Sequence, residues 1–349
     1  MRQQFASDNN AGLCPEALDA LVRANAEGHV PGYGDDDWTE KACARLRELF
    51  EADCEVFFVF NGTAANALAL AQICQPYHAV IAHALSHIEE DEAGAPALFS
   101  GGAKIVTADT ALAKLTPEVV DRLARKGRGV HHVKPRALSL TQATELGTVY
   151  SIAEVAALTE VARRHDLEVH MDGARFANAV AFLDCAPADL SWRAGVDVLC
   201  FGGVKNGLAV GEAVLFFDRD LAREFEWRVK QAGHLNSKMR LVTAPWLALI
   251  DDGVWLKNAR HANAMARRLS DRIAGLELVR AIAPVQSNGV FAELPPAAQA
   301  ALRDKGWRFY TFLGDTGCRF MCAWDTTPET VDRFAADMVS AAVLRQAQE

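Results

Sequence analysis

Short, unbroken apolar runs recur along the first two thirds of the chain, each stopping at turn residues and each separated from the next by a helical stretch. Val56-Phe57-Phe58-Val59-Phe60 ends at Asn61-Gly62-Thr63, and an alanine-rich helix is predicted to follow over about 64–74. Further strands are predicted at 79–82, 104–106, 137–141, 168–171, 196–200 and 213–217. A half-exposed strand alternates apolar with polar residues, whereas these runs do not alternate. The chain therefore reads as an α/β fold whose sheet is mostly parallel and covered by helices on both faces.

Helix starts punctuate the pattern. Thr116-Pro117-Glu118 offers a hydroxyl cap followed by proline at the first helical position, and Ser151-Ile152-Ala153-Glu154 spells a capping box for a helix to about His165. After about residue 220 the pattern changes. A long helical region over 221–249 is expected to break near Gly233 and Pro245. From Asp252 the order reads helix, strand, strand, helix, strand, strand and a last helix from Thr327, a smaller α+β unit. This predicts a large domain over 1–250, including the N-terminal segment, and a small one over 251–349.

Charge and cysteines narrow the classes. The 36 basic and 45 acidic residues give a net charge of −9, which argues against nucleic-acid or membrane-surface binding. No run reaches the roughly 18 apolar residues of a membrane span. The eight cysteines stand singly with no C-x-x-C, and the first eight residues carry no apolar leader, so a reduced, cytoplasmic protein without a structural metal is expected.

Three segments could carry chemistry. Asn61-Gly62-Thr63 opens a helix after a strand, and helix-terminal amides favour an anion such as phosphate, although an ordinary capped helix reads the same way. His170-Met171-Asp172-Gly173-Ala174-Arg175 puts a carboxylate at a strand end, where open α/β sheets bind ligands. Thirty-three residues later, Gly202-Gly203-Val204-Lys205-Asn206-Gly207 embeds a lysine among glycines, and such an amine can condense with an aldehyde. A phosphate cradle, an acid and a lysine in this order meet the needs of pyridoxal 5′-phosphate: its phosphate, ring nitrogen and aldehyde. His87 could stack on the ring, and His131 or His132 could move protons. Arg319, on an apolar strand, could fork a carboxylate or simply mark a sheet edge.

Taken together, these segments resemble the low-specificity L-threonine aldolases, from Phe5-Ala6-Ser7-Asp8-Asn9 to the final helix. The most specific pieces are Tyr33-Gly34-Asp35-Asp36, Asn61–Asn66, Ser86-His87-Ile88, His170–Arg175 and Arg319-Phe320. The resemblance implies the aspartate-aminotransferase fold: a mostly parallel seven-stranded sheet flanked by helices, plus a smaller C-terminal α+β domain. It implies pyridoxal 5′-phosphate held by Gly62 and Thr63 at the phosphate, His87 on the ring, Asp172 at the ring nitrogen and Lys205 at the aldehyde. Ser7, Arg175 and Arg319 would hold the substrate carboxylate, with Arg175 also near the ring hydroxyl. His131 matches the family's second histidine, and the base is His87 or His131.

The resemblance further implies active sites across a subunit interface in a dimer of dimers, with Lys238 or Arg240 of a neighbour reaching the phosphate. The reaction implied is cleavage of L-threonine, L-allo-threonine and related L-β-hydroxy-α-amino acids to glycine and an aldehyde. A β-eliminating lyase, a racemase or a non-catalytic cofactor-binding module are the alternatives. Three departures stand out. Gly203-Val204-Lys205-Asn206-Gly207 stands where the family has Ser-Lys-Gly, Glu89 and Glu90 occupy the family's aromatic positions after His87-Ile88, and Thr141-Gln142-Ala143-Thr144 replaces a more acidic, amide-rich stretch.

Overall fold

The computed structural model describes residues 4–126 and 129–346. Its larger sheet has seven strands: β1 (Glu55–Val59), β2 (His78–His83), β3 (Lys104–Ala108), β4 (Lys134–Thr141), β5 (Glu168–Gly173), β6 (Val198–Phe201) and β7 (Glu212–Phe216). Their order across the sheet is β1-β7-β6-β5-β4-β2-β3, and only β7 runs against its neighbours. Every strand anticipated in this part of the chain is present.

The absence of alternation has the expected cause. Leu199 and Phe201 point into one core, packed by helices Asp37–Phe50, Ile152–Arg164, Phe176–Leu183 and Arg240–Ile250. Their neighbours Val198 and Cys200 point into the other, under helices Gly62–Ile73 and Phe225–Gln231. Both faces of each strand are thus removed from water. The capping box at Ser151 forms as read, with both of its hydrogen bonds.

Two expectations need correction. Pro245 does not interrupt a helix: it lies at the middle of Arg240–Ile250, where it removes a single backbone bond while Trp246 and Leu249 beside it are fully buried. The N-terminal segment, expected with the large domain, divides between the two units: Cys14 and Ala17 pack in the large core, whereas Phe5 enters the smaller unit. That unit has four antiparallel strands, β8 (Arg280–Ala281), β9 (Gly289–Glu293), β10 (Tyr310–Leu313) and β11 (Gly317–Met321), in the order β10-β11-β9-β8. Helices Val254–Ile273, Pro296–Asp304 and Pro328–Gln346 accompany them. Phe5 enters their core, stacked on Phe334 at 4.6 Å between ring centroids, and its backbone bonds Arg308 and Met321. Among the described residues no helix is long and apolar enough to cross a membrane.

Candidate active site

Strands β1, β2, β4, β5 and β6 end on the same side of the large sheet, and the turns beyond them wall a cavity of about 470 Å³ that β10 and β11 close from the small unit. The turn after β1 supplies Gly62, the first residue of helix Gly62–Ile73. Asn61 caps that helix by accepting from the Ala64 amide at 2.9 Å. A Cβ at Gly62 would meet nothing within 4 Å, so its backbone faces open space at a positive helix end. Thr63 follows it in the first turn, half-buried.

Asp172 ends β5 and is 5% exposed. Its Oδ1 accepts from the Ala174 amide at 2.9 Å and its Oδ2 from Asn66 at 3.0 Å. Burial alone would raise this carboxyl, but His87, the Ala174 amide, Lys205 and His170 together hold it below its ordinary value, so it is ionised. Lys205 follows β6 on the cavity wall. Burial and the nearby Arg175 push its amine down, toward the neutral form that attacks a carbonyl. The glycines before it serve packing: a Cβ at Gly202 would lie 2.6 Å from the Ala174 carbonyl oxygen, and one at Gly203 2.5 Å from Trp246. Where the family's serine is absent, Glu212 of β7 accepts from the amides of Gly203 and Val204 and faces the lysine; burial pushes it up to about 7.

His87 lines the cavity after β2, and its Nδ1 meets Glu92 Oε1 at 2.9 Å. That bond raises the imidazole above its usual value. Glu92 also accepts from Asn66 at 2.8 Å, which ties His87, Glu92, Asn66 and Asp172 into one network. Arg175 is less free than expected: it grips Asp8 bidentately at 2.8 and 2.9 Å, and Asn288 donates to the same carboxylate. Arg319 is freer. It lies over Tyr310 and Phe312, donates to the Ala6 carbonyl at 3.3 Å, and leaves a buried Nε without a partner. An unpaired guanidinium edge in a cavity suits a carboxylate.

Other expected residues lie elsewhere. Ser7 is buried and its hydroxyl accepts from the Asn9 amide, off the cavity wall. His131 is exposed and precedes β4, whose eight residues separate it by about 26 Å from the end that borders the cavity. The structure therefore keeps His131 out of its own chain's site. Lys238 is exposed, whereas Arg240 is buried and bonded to the Ala24 and Gly28 carbonyls. Sequence reading missed Asp8, Asn66, Glu92, Glu145 and Glu212. Glu145 lines the cavity, and burial pushes it up to about 7. Among the described residues no cluster of three or more metal-ligating side chains forms.

These residues fit pyridoxal 5′-phosphate. An open helix N-terminus, an ionised strand-end acid, a histidine and an amine of lowered basicity share one cavity. The sequence matches the beta-eliminating lyase family over residues 4–295. It is 56% identical over 336 residues to a low-specificity L-threonine aldolase of Pseudomonas aeruginosa, covering 96% of this chain and 97% of that one. A Pseudomonas sp. enzyme of the same name is 54% identical over the same shares. The solved threonine aldolase of Leishmania major superposes with a TM-score of 0.91 at 30% identity, covering 97% of this chain and 99% of that one.

Proposed function

The chain belongs to the low-specificity L-threonine aldolases of the beta-eliminating lyase family, and from that premise we propose how its cavity works. It is a pyridoxal-phosphate-dependent carbon–carbon lyase that splits L-threonine, L-allo-threonine and related L-β-hydroxy-α-amino acids into glycine and an aldehyde. The amides at Gly62 and Thr63 would hold the cofactor's phosphate, Asp172 its ring nitrogen, His87 its ring and Lys205 its aldehyde carbon. Once bound, the cofactor supplies the electron sink for the pair released from the Cα–Cβ bond.

The protein's part is placement and charge. Asp172 remains ionised because four neighbours oppose its burial, and a fixed negative charge there keeps a ring nitrogen protonated. Arg319 receives the substrate carboxylate, and its fork restricts rotation about Cα so that one bond is presented for cleavage. Arg175, tied to Asp8, holds the N-terminal segment beside that carboxylate and keeps a nitrogen for it. His87 is anchored by Glu92. His131 acts on a cavity only if a second copy brings it there. The observation that carries this reading is that Asp172, Lys205 and the free edge of Arg319 line one cavity.

We further place this chemistry in a dimer of dimers in the cytoplasm. The exposed Tyr33 and Phe60 support the assembly, and Lys238, untied in its own chain, is the better candidate than Arg240 to reach a neighbour's phosphate. The eight free cysteines support a reducing compartment. The mass in solution tests the assembly. For the reaction, the purified protein is loaded with cofactor and given L-threonine. Equal amounts of glycine and acetaldehyde are expected. Ammonia with a 2-oxo acid would mean β-elimination, and D-allo-threonine would mean racemisation at Cα.

A further inference from the structure

We propose that Glu145 is the group that accepts the substrate's β-hydroxyl proton, a further catalytic residue of this cavity. The proposal rests on the aldolase reading above and begins from the loop that carries the side chain. Residues 142–147 follow β4, and the loop is locked on three sides. The Gln142 amide donates to the Asp172 carbonyl at 2.8 Å, and its side chain exchanges bonds of 2.8 and 3.0 Å with the Tyr150 backbone. Across the loop, Thr144 and Thr148 pair through both backbone and hydroxyls. From the small unit, Ser287 donates to the Gly147 carbonyl at 2.9 Å. An acid at the tip of such a loop is held in place before any substrate arrives.

The carboxylate itself is half used. Oε1 accepts from the His87 amide at 3.2 Å, the Thr141 hydroxyl lies close enough to lower the carboxyl against its burial, and Oε2 is buried without a partner of hydrogen-bond geometry. Buried polar atoms are nearly always bonded, so an orphaned oxygen on a residue that lines the cavity marks a place for a ligand's donor. Glu92 also has an orphaned oxygen but does not line the cavity. The charged and titratable groups around Glu145 are Asp172 and Arg175 beyond β5, Tyr150, His87, Glu90 and Asp91 after β2, and Arg319 on β11. Arg175 and Asp172 act on it with opposite sign. Burial raises it to about 7, so near neutrality it both ionises and takes up protons. His87 is a poorer acceptor, because its bond to Glu92 favours the protonated ring.

In the step assigned, the β-hydroxyl O–H bond breaks and its proton passes to Glu145 Oε2. The O–H electron pair becomes the aldehyde's second C–O bond as the Cα–Cβ bond opens. The same carboxyl then releases the proton to solvent. A β-hydroxyl is the chemistry recognised, so a substrate lacking one should not depend on this group.

The test compares two reactions of the cofactor-loaded protein and its Glu145→Gln variant: cleavage of L-threonine, and exchange of the α-proton of glycine in heavy water, followed by NMR. Cofactor absorbance and affinity for glycine are read alongside. We expect cleavage to fall by about 10²–10⁴-fold, with glycine binding and exchange kept within a few-fold. The wild-type loss of kcat/KM below about pH 7 should vanish in the variant. A variant that cleaves like the wild type, or loses both reactions equally, overturns the proposal. Should the variant fail to hold cofactor, the wild-type profiles decide: an acid limb near pH 7 in cleavage alone supports the assignment, and the same limb in both reactions refutes it. A wild type that cleaves no L-threonine would overturn the aldolase reading first.

Discussion

Asp172 sits where two large effects oppose each other. Its burial would neutralise it, and the surrounding His87, Ala174 amide, Lys205 and His170 keep it charged. Asp172→Asn keeps the size and most hydrogen bonds but removes the charge, so turnover should fall by orders of magnitude while the melting temperature moves little; near-normal turnover would mean the ring nitrogen is served by another group. Arg319 presents a comparable case. Arg319→Lys keeps a charge but loses both the fork and the planar stack over Tyr310 and Phe312. Steady-state kinetics should show KM for L-threonine raised about 10–100-fold, the equivalent of one charge-assisted bond, with cofactor binding intact. An unchanged KM with a lowered melting temperature would make Arg319 structural. These two residues were legible in the sequence because each breaks a local rule, an acid at a strand end and a cation on an apolar strand. Asp8 and Asn66 were not, since their partners Arg175 and Asp172 lie 167 and 106 residues away, and no local pattern marks such a pairing.

At the level of elements, the site depends on strand ends that point one way and on turns packed too tightly to move. The segment before Lys205 shows how. Gly203 accepts no side chain because Trp246 fills the space, and Glu212 takes up the amides of Gly203 and Val204. Gly203→Ala should cost about 1–3 kcal/mol of stability through overpacking, seen as a lower melting temperature. Glu212→Ala strands buried amides and should cost about 1–3 kcal/mol, with the pH dependence of the Lys205–cofactor absorbance shifted as well. If neither variant changes stability, the segment is looser than its contacts imply. The seven strands were readable because burial on both faces leaves unbroken apolar runs. Pro245 was misread because a proline in mid-helix removes one backbone bond, and the packing of Trp246 and Leu249 that offsets this leaves no trace in local propensity.

Across the whole molecule, the N-terminal segment ties the two units together at the cavity. Phe5 is stacked in the small core, and three residues later Asp8 grips Arg175 of the large unit and Asn288 of the small one. Phe5→Ala should cost about 3–5 kcal/mol, and, by loosening Asp8, should raise KM for L-threonine beyond what unfolding explains. A stability loss with unchanged KM would make the segment a structural staple only. The sequence pattern placed this segment with the large domain because chain order alone cannot show that residues 4 and 5 pair with 308 and 321. The account as a whole requires one amine, of all those on the chain, to hold the cofactor. Borohydride reduction of the cofactor-loaded protein, followed by peptide mass mapping, reads this directly. The predicted result is a single modified peptide bearing the cofactor on Lys205, absent from Lys205→Ala. A stable adduct on any other lysine, or none on a protein that still cleaves L-threonine, would contradict it.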